Sequence, residues 1–97
     1  MNKITLDGAE MLTRKIAHQY LKEQFGFPEY YGENLDALWD MLSIVSKPMV
    51  IRLENNNILQ ENLGAYGQAI IAVFMDLASE NKNIVIHIEA DTNCIER

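Results

Sequence analysis

The chain has 97 residues, a hydrophobic content of 48% and a formal net charge of -6. This length suits one small domain with a modest core, so we predict a single domain over residues 1–97 and exclude a second. The acidic excess makes nucleic acids and acidic membrane surfaces poor partners and favours basic proteins.

The first predicted elements are a strand and a helix. Residues 2–6 alternate polar and apolar side chains, which predicts a strand, and residues 7–8 turn the chain. Thr13 is the expected N-cap of the first helix, which ends before the Gly and Pro of residues 26–28. The apolar side chains expected near one face of this helix are Ile16, Tyr20 and Leu21.

The middle of the chain predicts a second helix and a second strand. Asn34 is the expected cap of a helix through ENLDALWDMLSIV, and Pro48 stops it. Residues 49–55 then alternate as a strand, and Asn55 to Asn57 form a turn. The apolar stripe of the helix, at spacings of three and four, is Leu35, Leu38, Leu42 and Val45.

The last third predicts two helices and a third strand. A short helix around residues 58–63 precedes a longer one in residues 65–81, and residues 84–89 alternate as a strand. We expect residues 91–97 to be a frayed tail. The apolar face of the longer helix is predicted to comprise Ile70, Val73, Phe74 and Leu77.

The order of these elements predicts the topology. No connection between strands is short enough for a hairpin, so the strands should be parallel and joined by right-handed crossovers. All three strands alternate, which predicts that only one face of the sheet is covered. The predicted fold class is α/β, with two layers: a three-stranded parallel sheet and about four helices mainly on one face.

Three features concern the location of the protein. The single cysteine, Cys94, excludes an intramolecular disulfide and favours a reducing compartment. The N-terminal segment alternates instead of forming the apolar run of a signal peptide. The longest apolar run, residues 69–75, is much shorter than the roughly 20 residues that a bilayer span needs. We therefore predict a soluble, cytoplasmic protein.

One face of the second helix is acidic. Helical geometry places Glu33, Asp36, Asp40 and Ser43 opposite the apolar stripe. Aspartates at i and i+4 repel by a few tenths of a kcal/mol, and no Lys or Arg lies between residues 22 and 47 to offset this. The helix dipole favours Glu33 and Asp36 but hardly Asp40, which lies further into the helix. Folding alone does not explain the arrangement.

Aromatic residues flank these acids. Tyr30, Tyr31 and Trp39 are of the types that anchor protein interfaces, although Trp39 lies at the border of the apolar stripe and is expected to be half-buried. Gly32 permits a close backbone approach. Acids between aromatic residues indicate a protein-binding surface.

Enzymatic alternatives lack their usual components. Acid catalysis by Asp36 and Asp40 would need one carboxyl group desolvated in a cleft, so a carboxylate-dependent hydrolase is left open only if a pocket surrounds them. His18 and His87 lie on different elements without metal-ligand spacing, and Cys94 has no obvious base. We predict no enzyme activity, no metal and no cofactor.

The segment FPEYYGENLDALWD, residues 27–40, closely resembles the signature of the barstar family of intracellular ribonuclease inhibitors. The resemblance covers nearly the whole chain, including residues 7–8, His18, Pro48 and residues 73–74. It implies the fold described above. It also implies a 1:1 complex with a basic, extracellular-type ribonuclease similar to barnase, whose active site is blocked without any chemistry.

The resemblance also implies roles for individual residues. Asp40 would take the place of a substrate phosphate against arginines and the catalytic histidine, and Asp36 would support it. Tyr30 would stack near the nuclease active site, and Asp76 would reach a peripheral basic residue. The predicted partner-binding residues are Tyr30, Tyr31, Gly32, Asn34, Leu35, Asp36, Trp39, Asp40, Ser43 and Asp76.

The chain departs from the family pattern after Leu42. There the segment SIVSK, residues 43–47, replaces a slightly longer one with glycine and tryptophan, and Met41 replaces a cysteine. Whether SIVSK contributes to the interface is left open. Because a fold does not determine its partner, the alternative is a barstar-like adaptor or regulatory protein that binds a different basic protein.

Overall fold

A parallel sheet of three strands, in the order β1, β2, β3, forms one layer of the protein in a computed structural model, which describes residues 2–89. The strands are β1 (Asn2–Asp7), β2 (Met49–Glu54) and β3 (Ile84–Ile88). The predicted α/β class and parallel pairing are confirmed, and β2 is the central strand. The expected frayed tail, 91–97, and Cys94 lie outside the described residues.

Four α-helices and one 3-10 turn connect the strands. The predicted caps are present: the Thr13 hydroxyl accepts from the amide of Ile16 at 3.2 Å, and the Asn34 side chain accepts from the amide of Ala37 at 2.7 Å. Gly26 ends the first helix with φ 71°. The elements are a 3-10 turn (Gly8–Glu10), α1 (Arg14–Phe25), α2 (Leu35–Ser43), α3 (Asn56–Leu63) and α4 (Ala65–Glu80).

The core lies between the helices and one face of the sheet. Ile51 and Leu53 of β2 are fully buried, whereas Lys3 and Thr5 of β1 point to the uncovered face and are exposed. On that face Arg52 pairs with Glu54 and Glu89. No helix in residues 2–89 is long and apolar enough to span a membrane. Further fully buried side chains are Leu6, Leu21, Leu38, Leu59, Ile70, Phe74 and Leu77.

The structure corrects the predicted face of α1. Ile16 is 40% exposed, and the buried residues of the helix are Ala17, His18 and Leu21. Two tyrosine hydroxyls hold the His18 ring in the core, which turns Ile16 outward. The prediction counted only apolar side chains toward this face and did not include His18.

Two boundaries also differ from the prediction. α2 ends at Ser43, two residues before the predicted end, because the Asn81 side chain donates to the carbonyls of Ser43 and Val45. The three asparagines that we predicted as a turn divide differently: Asn55 alone is left-handed, with φ 55°, and α3 begins at Asn56.

Gly8 lies where β1 meets the start of α3. A Cβ atom there would come within 2.5 Å of the Asn55 carbonyl oxygen and 2.8 Å of the Leu59 Cβ. Asp7 holds the two segments together, because its carboxylate accepts from the Asn55 side chain at 2.8 Å and from the Ala9 amide at 2.9 Å. Only glycine fits this crossing.

We therefore expect Gly8→Ala to lower the free energy of unfolding by about 1–3 kcal/mol, the usual cost of overpacking. Urea unfolding followed by circular dichroism measures this change. Gly32→Ala is the matched control, because the atoms nearest to its added Cβ are side-chain atoms at 3.3 and 3.4 Å. A cost for Gly8→Ala no larger than that for Gly32→Ala would contradict the prediction.

Candidate protein interface

The outer side of α2 and the residue before its cap form the acidic face, which we define as Glu33, Asp36, Asp40 and Ser43. All four are exposed, whereas Leu38 and Leu42 on the opposite side are buried. Within residues 2–89, none of the three acids has an ion-pair partner; the pairs found there join Lys22 to Glu29 and Arg52 to Glu54 and Glu89. The face is therefore an uncompensated negative surface on a rigid helix.

The loop before α2 presents further residues. Tyr30 is 80% exposed, Gly32 is exposed, and Glu33 has φ 55°, which costs a non-glycine residue of order 1 kcal/mol. Asn34 stabilises the loop by donating to the Gly32 carbonyl at 3.3 Å. The strained Glu33 is itself part of the acidic face, and backbone strain of this kind is typical of binding sites.

The remaining predicted contact residues occupy less exposed or more distant positions. Leu35 and Trp39 are half-buried and pack against the core. Asp76 is exposed on α4, the helix that packs beside α2. Helix α2 and the preceding loop thus bring together most of the predicted set, and Asp76 comes from a neighbouring helix.

Tyr31 differs from this set because it is only 4% exposed. Its ring packs at 4.7 Å from that of Phe27, and its hydroxyl lies 2.8 Å from the His18 Nδ1. Tyr31 therefore offers almost no contact surface, contrary to its predicted place in the interface. Its buried ring instead supports the loop from the core side. Composition alone does not predict which of two adjacent tyrosines points inward.

Tyr66 of α4 completes a buried network that the sequence did not predict. Its hydroxyl lies 2.7 Å from the His18 Nε2, and the Arg14 guanidinium carbon lies 4.3 Å from its ring centroid. We call Tyr31, His18 and Tyr66 the His18 bridge. It connects the loop before α2 to α1 and α4. Because Tyr66 and His18 are 48 residues apart, no local pattern indicates their contact.

Burial determines the ionisation of the bridge. It lowers the pKa of His18, and the opposing charge of Glu33 has a smaller effect. Burial also raises the pKa of Tyr31 and of Tyr66, with Arg14 opposing the rise for Tyr66. A neutral histidine donates from one ring nitrogen and accepts at the other, so the two hydroxyls satisfy both nitrogens.

The acidic face has no enclosed catalytic pocket. Asp36 and Asp40 are exposed, and residues 2–89 contain no group of three or more His, Cys, Asp or Glu that could hold a metal. A cavity of about 360 Å³ opens beside the face, between Asp36 and Tyr66. Asp36 and Asp40 therefore present solvated negative charge at the surface of the helix.

Comparison with known proteins identifies a family and a relative. A family model described as Barstar (barnase inhibitor) matches residues 1–91. The chain is also 37% identical, over 84 residues, to a protein of Bacillus subtilis (strain 168) named "Putative ribonuclease inhibitor YrdF". That alignment covers 86% of this chain and 92% of the relative.

We expect the His18 bridge to make stability depend on pH. The pKa of His18 is lower in the folded state than in the unfolded chain, where it is about 6.5. As pH falls from 7.5 to 5.5 the unfolded state therefore gains protons first, and the free energy of unfolding decreases by at most about 1.4 kcal/mol per pH unit. Urea unfolding at pH 7.5, 6.5 and 5.5 measures this slope.

His18→Gln, which keeps a donor and an acceptor, should flatten the slope. The exposed His87→Gln is the matched control and should retain it. Equal slopes for the wild type and His18→Gln would show that His18 is not the titrating group.

Proposed function

The chain belongs to the barstar family, and from this premise we propose that it inhibits a barnase-type ribonuclease in a 1:1 complex. The acidic face occludes the cationic active site of the nuclease. The family is described as barnase inhibitors, and the relative from Bacillus subtilis is named as an inhibitor. Inhibition by occlusion needs no catalytic group on this chain.

The observation that carries the proposal is two exposed acids, without an ion-pair partner within residues 2–89, on a helix held by the core. Asp36 and Asp40 lie one turn apart, about 6 Å along the helix axis. The Asn34 cap and the buried Leu38 and Leu42 hold the helix, so the spacing of the carboxylates does not depend on a partner. A ribonuclease active site binds phosphate, and carboxylates at a defined spacing can replace it.

The other exposed residues supply the surroundings of this contact. Asp40 accepts charge-assisted hydrogen bonds from arginines and the histidine of the nuclease, and Asp36 supports it. Tyr30, with 80% of its surface exposed, stacks at the edge of the active site. Asp76 reaches a peripheral basic group. Gly32, Asn34, Leu35, Trp39 and Ser43 line the contact.

A second candidate is a barstar-like adaptor that binds a different basic protein. The border of the acidic face favours it, because Ile44 is 77% exposed and Lys47 adds a positive charge at this edge. Both belong to the segment that departs from the family pattern. Barnase distinguishes the two candidates, since an adaptor would leave its RNA cleavage unchanged.

We expect Asp40→Ala to weaken inhibition of barnase by at least about 30-fold. This is the effect of losing an interface hot spot of about 2 kcal/mol, and the type complex of this family is a known example of such hot spots. Asp36→Ala should weaken it by about tenfold. RNA cleavage is titrated with inhibitor at nuclease concentrations near the dissociation constant. Glu61→Ala, which removes an exposed acid from α3, is the control and should stay within about twofold of the wild type.

Full inhibition by both aspartate variants would place the contact elsewhere. Failure of the wild-type protein to inhibit barnase would contradict the proposed function and favour the adaptor.

Electrostatic steering generates a second prediction. With a net charge of -6, the chain should associate with a basic nuclease at a rate that falls by about tenfold or more between about 25 and 500 mM NaCl. Stopped-flow fluorescence measures the rate constant. The double variant Asp36→Asn and Asp40→Asn should show a weaker salt dependence. A rate constant independent of salt would exclude steering.

A further inference from the structure

The acidic face ends at a positive charge. Arg14, the first residue of α1, is exposed and lines the 360 Å³ cavity beside α2. We call this cavity the Arg14 cavity. It is lined by Arg14, Glu33, Asn34, Leu35, Asp36 and Tyr66.

The Arg14 guanidinium is held in place by the ring of Tyr66. It lies 4.3 Å from the ring centroid of Tyr66, within the range of a cation–π contact. Tyr66 is itself anchored by its hydroxyl on the His18 Nε2, at 2.7 Å. The His18 bridge therefore positions Arg14 as well as the loop before α2.

Arg14 keeps its capacity to bind an anion. Within residues 2–89 it forms no ion pair, although Glu33 and Asp36 line the same cavity. A guanidinium presents five N–H donors and binds carboxylates in a bidentate geometry. Because the Tyr66 ring already orders this side chain, Arg14 loses little further conformational entropy when it binds a carboxylate.

A basic partner would meet Arg14 as a like charge. A nuclease that brings cations to Asp36 and Asp40 also brings positive potential towards Arg14, which costs binding energy unless the partner presents the opposite charge there. The complementary group is a carboxylate at the rim of the cationic site. A nuclease without such a carboxylate is disfavoured.

We propose that the Arg14 cavity receives an Asp or Glu side chain of the nuclease, next to its cationic active site. This contact orients the complex and selects among basic nucleases. The inference rests on the proposed function and adds the chemistry of the partner surface that this chain requires.

Charge reversal separates this contact from general steering. Arg14→Glu and Lys15→Glu change the net charge equally, and both residues are exposed at the start of α1. Steering alone predicts that both variants bind barnase as well as, or better than, the wild type. We expect Lys15→Glu to behave in that way and Arg14→Glu to inhibit barnase about tenfold or more weakly. Arg14→Gln should give an intermediate loss.

Urea unfolding at neutral pH verifies that each variant is folded. If Arg14→Glu is not, the comparison is made between Arg14→Gln and Lys15→Gln, with a loss of inhibition expected only for the first. Inhibition by the folded Arg14 variant equal to that of its Lys15 control overturns the inference.

A rescue experiment identifies the partner group. Each Asp and Glu near the active-site rim of barnase is replaced in turn by Lys, and each variant that retains RNA cleavage is titrated with the wild type and with Arg14→Glu. We expect one reversal to weaken binding to the wild type and to restore binding to Arg14→Glu by about tenfold. Absence of any such reversal overturns the inference.

The variant Asp40→Ala, tested in the same titration, distinguishes failure of the proposed function from failure of the Arg14 contact alone. Weak inhibition by Asp40→Ala, together with unchanged inhibition by Arg14→Glu, leaves the proposed function standing and rejects only the Arg14 contact. Full inhibition by Asp40→Ala rejects the interface and, with it, the Arg14 contact.

Discussion

The hydrogen bonds of His18 to Tyr31 and Tyr66 determine how the loop before α2 is placed on the fold. They join α1, the loop before α2 and α4 through a single imidazole ring, with oxygen–nitrogen distances of 2.8 and 2.7 Å. A buried polar ring is costly unless both nitrogens are bonded, so the three segments must come together at this point. The exposed Tyr30 precedes Tyr31 and the strained Glu33 follows two residues later, so the burial of Tyr31 constrains the positions of both.

Helix α2 separates stability from binding on its two sides. Leu38 and Leu42 attach it to the core, and the Asn34 cap determines where it begins. Asp36 and Asp40 contribute a small repulsion on the other side and have no partner among the described residues. Folding does not require these two charges, but it fixes the helix that carries them. Their backbone positions are therefore set before any partner binds. Only the side-chain rotamers then remain to be ordered on binding, which limits the entropy cost.

Arg14 gives this acidic surface a direction. A uniform negative face would attract any basic protein in many orientations, because long-range steering does not distinguish between them. A cation at one border, stacked on Tyr66, makes the charge pattern asymmetric. In the proposed complex, net charge sets the rate of encounter, and the arrangement of individual charges sets specificity.

The sequence by itself determined the order of the elements, the caps of α1 and α2 and the composition of the acidic face. Strand alternation and the spacing of Leu35, Leu38 and Leu42 depend on neighbours in the chain, so these features are visible locally. Only the tertiary structure decided which of the two adjacent tyrosines is buried, why Ile16 lies outside the core, and that Tyr66 meets His18 across 48 residues. The physical reason is that a buried polar group takes its partners from whichever segments the fold brings near it, and no local pattern records that choice.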